Sequence, residues 1–243
     1  MNAIRKLGML VLLLAIPTLA AASATGIHLD KAPVDLKDKV SLQRGAKLFT
    51  ARCLACHSAA AMRYNRLRDI GMTEETIKKD LELPEDVKLG STMQAAMDAN
   101  AAKLAFGVAP PDLGVIARSR SADWLYTYLR TFYTDSSRAS GWNNLAFPSV
   151  GMPHVLADLQ GEQKLLIESH AGHETRKLVL DKPGSLTPAE YDAAVGDLVN
   201  YLVYMSDPSK MVRPGLGYLV LAFLAALFVL VYALKKEIWK DVH

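Results

Sequence analysis

The residues best suited to chemistry form the run Arg52-Cys-Leu-Ala-Cys-His-Ser58. It contains the only two cysteines of the chain, Cys53 and Cys56, and His57 follows directly. Two thiols at this spacing occur in thiol–disulfide oxidoreductases, in zinc sites and at points of covalent haem attachment. Each possibility predicts a different protein, so the rest of the sequence has to discriminate among them.

Three considerations favour haem over the other two possibilities. A thioredoxin-type motif stands at a strand-to-helix junction, whereas a predicted helix, Val40–Arg52, precedes this one. A zinc site needs further ligands that have no evident place in the sequence, and a disulfide over so short a loop would stabilise little. In Cys-x-x-Cys-His the two thiols bind the haem vinyl groups and the histidine falls beneath the iron. The motif therefore indicates one haem c attached through Cys53 and Cys56, with His57 as an iron ligand.

A low-spin electron carrier needs a second axial ligand, and methionine sulfur gives a higher reduction potential than a second histidine. Met152 lies in Val150-Gly-Met-Pro153, where glycine and proline keep the chain out of a helix and can present one side chain. His154 is the nearest alternative ligand, and two others are more remote, His170 and His173. The other methionines downstream of His57 are less suitable. Met93, Met97 and Met205 have the spacing of core residues, Met62 and Met72 are too close to the motif, and Met211 adjoins the membrane segment.

A bound haem would also bring two propionate carboxylates. Arginine suits carboxylates because its donors form a planar fork. Arg118 and Arg120 both follow the run Pro110-Pro-Asp-Leu113 closely. Spacing alone does not choose between them.

The first 24 residues have the features of a secretory signal peptide. Arg5 and Lys6 precede an apolar run, and Ala22-Ser-Ala24 fits a signal-peptidase site. An uncleaved anchor is the alternative, although Pro17 interrupts an already short run. We therefore expect residues 25–212 to be an exported domain.

A second apolar run, Gly215–Leu234, has 20 residues and no charge, which is the length of a membrane span. Lys235, Lys236 and Lys240 follow it, so the positive-inside rule puts this end in the cytoplasm. The sequence thus predicts an anchor over residues 213–236 and a cytoplasmic tail over 237–243. The predicted location is a bacterial inner membrane, with the haem domain on the periplasmic side.

The composition and the periodicity indicate a mainly α, folded domain. The chain is 51% hydrophobic and 22% charged, and we expect no nucleic-acid binding, because the net charge is only +3 and no basic run with interleaved aromatics is present. A short hairpin is expected from Leu165–Ser169 and Lys177–Leu180, and a loop over residues 136–153. Helical spacing and caps predict five helices before the anchor: Val40–Arg52, Thr73–Leu81, Thr92–Phe106, Asp123–Phe132, and one opened by the capping box Thr187–Glu190 that ends near Asp207.

Taken together, these features resemble the cytochrome c1 family of the respiratory bc1 complex over essentially the whole chain. The resemblance rests on several runs: Gly45-Ala-Lys-Leu-Phe49, the Cys-x-x-Cys-His motif, Ala109-Pro-Pro-Asp-Leu113, Ile116-Ala-Arg-Ser-Arg120, Gly151-Met-Pro153 and the C-terminal anchor. It implies a class I c-type cytochrome-like haem domain with loop insertions and one transmembrane helix. It further implies that Cys53 and Cys56 carry the haem, that His57 and Met152 ligate iron, that Arg120 holds a propionate, and that Pro111 lines the pocket.

The family resemblance also implies a function. The chain would be the electron-transfer subunit of a ubiquinol–cytochrome c oxidoreductase, without bond-making catalysis of its own. It would take an electron from a Rieske iron–sulfur protein, pass it to a soluble c-type cytochrome, and assemble with cytochrome b in a dimeric complex. The alternatives are a stand-alone membrane-anchored c-type cytochrome for another redox chain and an exported thiol–disulfide oxidoreductase.

Three features bear on how far the resemblance extends. The extra cysteine pair that some relatives carry near the methionine is absent, and Trp124 stands where a tyrosine is common. The segment Asp69–Asp86 has seven acidic residues and two lysines, and it is either a docking surface for a soluble partner or a solvated face.

Overall fold

The structure is a computed structural model that describes residues 27–170 and 173–241. The predicted signal peptide, residues 1–24, lies outside the described residues. The described helices are α1 Lys39–Arg52, α2 Glu74–Asp80, α3 Ala99–Phe106, α4 Ile116–Arg120, α5 Ala122–Arg130, α6 Ala157–Gln160, α7 Pro188–Ser206 and α8 Arg213–Ile238, with 3₁₀ segments at Tyr64–Ile70 and Pro208–Met211.

The described strands form antiparallel two-stranded sheets. β1 (Ala59–Arg63) pairs with β2 (Thr92–Met93), and β3 (Phe132–Thr134) pairs with β4 (Trp142–Asn144). The longest pair is a hairpin of β5 (Gly161–His170) and β6 (His173–Pro183). The fold is mainly α, which confirms the predicted class.

The core forms where α1 packs against α7. At Gly45 a Cβ atom would collide with the backbone oxygen of Asp197 and lie 2.7 Å from Cβ of Tyr201, so only glycine allows this approach. The rings of Phe49 and Tyr201 meet one turn further along, with centroids 5.6 Å apart. Both side chains are fully buried, so the end of α1 that precedes the Cys-x-x-Cys-His motif is held firmly against α7.

Helix α7 begins and ends where its sequence signals predict. The side chain of Thr187 caps the backbone N–H of Glu190, whose carboxylate accepts from the backbone of Thr187, and Pro188 occupies the first turn. The helix ends at Ser206, next to Asp207. Its apolar residues at intervals of three or four are all buried: Tyr191, Val195, Leu198, Leu202 and Met205.

None of the 26 residues of helix α8 is buried. The mean hydropathy over an 18-residue window of this helix is 2.5. It is the one candidate membrane span in the part of the chain that the structure describes. Its length is about 39 Å at 1.5 Å per residue, enough to cross a hydrocarbon core of about 30 Å. This helix confirms a single apolar C-terminal span.

The prediction of one helix over Thr92–Phe106 is wrong in its first half. Thr92 and Met93 form strand β2, and Met93 is fully buried. The helix starts only after Asp98, whose side chain accepts from the backbone N–H groups of Asn100 and Ala101, each at 3.0 Å. A strong N-cap thus overrode the methionine spacing that suggested a longer helix.

Two boundaries also differ from the prediction. The hairpin is much longer than expected, because polar residues at its base still pair across it, such as Glu162 with Lys182 beyond a register shift at Gln163. Helix α5 ends at Arg130, so Phe132 belongs to β3, which pairs with β4 inside the predicted loop 136–153.

Candidate haem site

The Cys-x-x-Cys-His motif forms a tight turn at the C-terminal end of α1. The N–H groups of Cys53 and Leu54 donate to the carbonyl of Phe49, at 2.8 and 3.1 Å. The N–H groups of Cys56 and His57 then donate to the carbonyl of Cys53, at 3.1 and 2.8 Å. This turn brings both thiols and the imidazole to one wall of a cavity.

The cavity has a volume of about 580 Å³, within the range usual for cofactor sites of about 300–1,000 Å³. Its walls come from α1, the loop over residues 108–113, α4, α5, the methionine loop and α7. The lining is mainly apolar, and includes Val108, Leu113, Ile116, Leu125, Leu129, Val155, Leu198 and Leu202. Such walls exclude water from whatever the cavity holds.

The imidazole of His57 is oriented by the loop opposite it. Its Nδ1 lies 2.8 Å from the carbonyl oxygen of Pro111. A carbonyl only accepts hydrogen bonds, so Nδ1 carries the proton and Nε2 keeps its lone pair for a metal. Burial lowers the pKa of His57, an effect that the bond to Pro111 and the charge of Asp112 partly oppose. The ring is therefore neutral near pH 7 and ready to ligate iron.

The loop that carries Pro111 is fixed to the haem motif through Asp112. Its carboxylate accepts hydrogen bonds from the backbone N–H groups of Ala60 and Gly114, at 2.8 and 2.7 Å. The next N–H, of Leu113, donates to the carbonyl of Ser58 at 2.8 Å. Asp112 thus positions the carbonyl that orients His57. The sequence signal that could have revealed this role is the Asp-x-Gly pattern of an Asx turn.

Met152 also lines this cavity, and among the described residues it is the one methionine that does so. The hydroxyl of Tyr128 donates a hydrogen bond to its sulfur at 3.4 Å. At the preceding Gly151, a Cβ atom would lie 3.0 Å from Cγ1 of Val108 and 3.1 Å from the carbonyl oxygen of Phe106. The glycine before the methionine therefore suits the close approach of this loop to the segment that begins at Phe106.

The nearest alternative ligand, His154, is not part of the cavity lining. It is buried, stacked on Phe132 with centroids 4.8 Å apart and rings 4° from parallel, and packed edge-on to Trp142. Burial lowers the pKa of His154 to about 4, so it is a neutral aromatic core residue. The remote candidates, His170 and His173, pair with each other at the end of the β5–β6 hairpin.

The structure separates the two candidate arginines. Arg120 lies at the exposed rim of the cavity, with its guanidinium 5.1 Å from the ring centre of Trp124 and 5.8 Å from that of Phe147. Arg118 points into a different depression, next to Asp207. Of the pair, Arg120 is therefore the one placed to meet a group at the cavity mouth.

Cys53 lacks the property expected of a redox-active thiol. Burial, with a smaller contribution from the neighbouring Cys56, raises the pKa of Cys53 to about 12. Reactive thiols in oxidoreductases have depressed pKa values, because the thiolate is the nucleophile. This environment disfavours the thiol–disulfide oxidoreductase alternative.

Comparison with known proteins identifies the family. Residues 30–88 match the profile of the Cytochrome C1 family. The chain is 50% identical to a protein named Cytochrome c1 from Allochromatium vinosum, over 98% of this chain and 100% of that one. It is 53% identical to a protein named Ammonia monooxygenase gamma subunit from Nitrosomonas europaea, over 98% of each chain, and 25% identical to the mitochondrial Cytochrome c1, heme protein, of Saccharomyces cerevisiae, over 86% of this chain and 70% of that one.

The chain belongs to the cytochrome c1 family. The resemblance inferred from the sequence is thereby confirmed. Cytochromes c1 carry covalent haem c, and Cys53 and Cys56 of this chain stand in the corresponding motif. As a cytochrome c1 family protein, it is a bc1-type electron-transfer cytochrome of a respiratory chain, with an apolar C-terminal helix that suggests membrane attachment.

The residues around the cavity fit this cofactor. Two thiols and an oriented imidazole lie on one side, a thioether lies in the same cavity, and the walls between them are apolar. The sequence alone did not indicate a role at the site for Tyr128, for Asp112 or for the two leucines that α7 contributes, Leu198 and Leu202. The leucines lie on the apolar face of α7, and periodicity alone does not distinguish a residue of the core from one that lines a pocket.

Proposed function

We propose that this chain is the haem-bearing subunit of a ubiquinol–cytochrome c oxidoreductase. Its exported domain accepts an electron from a Rieske iron–sulfur protein and passes it to a soluble c-type cytochrome. The observation that supports the proposal best is one apolar cavity lined by Cys53, Cys56 and His57 together with Met152. Membership of the cytochrome c1 family supports a respiratory electron-transfer role for this cavity.

In this proposal the site residues have distinct roles. Cys53 and Cys56 hold haem c through thioether bonds, and His57 and Met152 ligate its iron. Pro111 packs at the pocket wall, and Arg120 neutralises a propionate at the rim. When bound, haem c supplies a one-electron iron couple.

The protein contributes rigidity around that couple. The bonds of Pro111 to His57 and of Tyr128 to Met152 hold both ligands in fixed orientations. Apolar walls keep water away from the iron, so little has to rearrange when the redox state changes. Covalent attachment prevents loss of the cofactor outside the cell membrane.

The rim of the cavity and the acidic segment offer surfaces for partners. Pro111, Arg120 and Phe147 are exposed at the cavity, which provides a short route for an electron. In the segment Asp69–Asp86, several carboxylates are engaged in ion pairs, such as Glu74 with Arg68. The remaining exposed carboxylates of this segment would steer a basic soluble cytochrome by long-range attraction.

We further propose the topology that the sequence indicates. Residues 1–24 are removed as a signal peptide, residues 25–212 lie in the periplasm, residues 213–236 anchor the chain in a bacterial inner membrane, and residues 237–243 stay in the cytoplasm. Reporter fusions at the C-terminus test this directly. An enzyme active only in the cytoplasm should work there, and activity of a periplasm-dependent reporter at that end would contradict the topology.

Two measurements on protein purified from its native membrane test the proposed function. A pyridine haemochrome spectrum should show one haem c that stays with the chain after denaturation. Cytochrome b and a Rieske protein should co-purify in a dimeric complex. Haem without these partners would instead support a stand-alone membrane-anchored cytochrome.

The name of one relative, Ammonia monooxygenase gamma subunit, motivates a second candidate, a redox subunit of a monooxygenase. The same purification separates the two possibilities. Recovery of monooxygenase subunits in place of cytochrome b and the Rieske protein would favour this second function.

A further inference from the structure

A second depression lies where the haem domain meets the membrane helix. It has a volume of about 370 Å³ and is formed by α4, the end of α7, the following 3₁₀ segment and the start of α8. Its charged lining residues are Arg118, Asp207, Lys210 and Arg213. None of these four residues lines the haem cavity.

The depression carries an excess of positive charge. Nη2 of Arg213 donates to both carboxylate oxygens of Asp207, at 2.8 and 2.6 Å, and the hydroxyl of Ser209 donates to the same carboxylate at 2.7 Å. These bonds, with the charge of Arg118, lower the pKa of Asp207, so the carboxylate stays ionised. It balances only one of the three cations in the lining.

The cations come from three separate elements that the fold holds together. Arg118 is on α4, Lys210 is in the 3₁₀ segment Pro208–Met211, and Arg213 begins α8. The backbone N–H of Ala117 donates to the hydroxyl of Ser206 at 3.3 Å, which joins α4 to the end of α7. The charges therefore converge on one concave site.

The depth of this site relative to a bilayer follows from α8. Arg213 is two residues before the uncharged run Gly215–Leu234, whose 20 residues span about 30 Å, the thickness of a hydrocarbon core. Arg213 therefore lies at the level of the lipid headgroups, where basic side chains extend toward phosphates.

We propose that this depression binds the phosphate of an anionic phospholipid headgroup from the outer leaflet. The lipid's acyl chains would lie along the exposed apolar start of α8, while its phosphate meets Arg118, Lys210 and Arg213. A lipid held in this way would fix the haem domain against the membrane surface. The site does not depend on the proposed electron-transfer partners.

Lipid binding to the full-length, haem-loaded chain in detergent tests the proposal. Native mass spectrometry would count phosphatidylglycerol and, separately, phosphatidylcholine retained by the wild type and by the double variant Arg118→Gln/Lys210→Gln. The control is Lys103→Gln/Lys177→Gln, which removes two exposed cations elsewhere in the described chain. A haem spectrum and circular dichroism verify that each variant is folded.

The wild type and the control should retain one phosphatidylglycerol in preference to phosphatidylcholine. The Arg118→Gln/Lys210→Gln variant should bind it roughly 25-fold more weakly, since each basic residue near an anionic surface contributes about fivefold. The charge-conserving variant Arg118→Lys/Lys210→Arg should keep most of the affinity. Equal binding by wild type and the glutamine variant, equal loss in the control, or binding of inorganic phosphate without any binding of phosphatidylglycerol would each overturn the proposal.

Discussion

The hydroxyl of Tyr128 donates a hydrogen bond to the sulfur of Met152, with 3.4 Å between the two atoms. Tyr128 is itself held in place, since its ring stacks on Trp124 at 4.8 Å and meets Phe132 edge-on at 5.1 Å. Burial raises the pKa of this hydroxyl well above its usual range, so it remains a donor at any physiological pH. The methionine loop is thus braced by a fixed donor in a chain that has no disulfide available for that purpose.

Replacing Tyr128 with Phe should lower the reduction potential of the haem. The hydroxyl draws electron density from the sulfur, so its loss makes the thioether a better donor to ferric iron. A hydrogen bond contributes about 1 kcal/mol, and the shift should therefore not exceed about 40 mV. Redox titration of the purified variant measures it, with Tyr133→Phe as the control. A raised or unchanged potential would show that the hydroxyl does not act on the ligand.

Replacing Asp112 with Ala should shift the potential in the opposite direction. Asp112 fixes the loop whose Pro111 carbonyl accepts from His57, and that bond makes the imidazole a stronger donor. Loss of the loop anchor weakens the donor and raises the potential, by up to about 40 mV. Asp112→Asn, which keeps one acceptor oxygen, should give an intermediate value. A lowered potential in the alanine variant would contradict this positioning role.

Replacing Gly45 with Ala should destabilise the haem domain. The added methyl group would collide with the backbone oxygen of Asp197 and with Tyr201, where helices α1 and α7 are in contact. Overpacking of this kind costs about 1–3 kcal/mol or more in the free energy of unfolding. Denaturant unfolding monitored by circular dichroism measures the loss. Gly90→Ala is the matched control, because a Cβ there meets nothing within 4 Å, and equal stability of the two variants would disprove the close contact.

The capping box of α7 should make stability depend on pH. Bonds from the backbone and hydroxyl of Thr187 lower the pKa of the Glu190 carboxyl below its ordinary 4.5. The carboxylate therefore stabilises the fold fully above pH 4.5, and this contribution is lost as the pH falls through the depressed pKa. Glu190→Gln should be less stable than the wild type at pH 7 and nearly equal to it near pH 3.

Urea unfolding at the two pH values tests this dependence. Glu85→Gln, in an exposed loop, should match the wild type at both. A difference between wild type and Glu190→Gln that stays constant with pH would show that the charge of Glu190 has no part in the cap.

The elements that sequence predicted well are those with local signals. The capping box of α7 and the apolar run of α8 each depend on residues within one element, and each lies where it was expected. The Cys-x-x-Cys-His turn is equally local, because its hydrogen bonds close within a few residues.

What sequence could not predict depends on contacts between distant segments. Strand β2 exists because Met93 pairs across to Ala59, and helical spacing gave no indication of that partner. Likewise, Tyr128 meets Met152 over 24 positions, and Asp112 meets Ala60 over 52. Spacing alone did not choose between Arg118 and Arg120, which are two residues apart; the family resemblance indicated Arg120, and the structure places the two side chains at different depressions.

The most direct test of the account is the reduction potential of Met152→Leu, measured beside Met62→Leu, which alters a core methionine outside the cavity. If Met152 is the second axial ligand, its loss removes the thioether that favours ferrous iron. The potential should fall by on the order of 0.1 V, since axial ligation tunes haem potentials over about 0.8 V, and Met62→Leu should match the wild type. A wild-type potential in Met152→Leu would contradict the proposed ligand set.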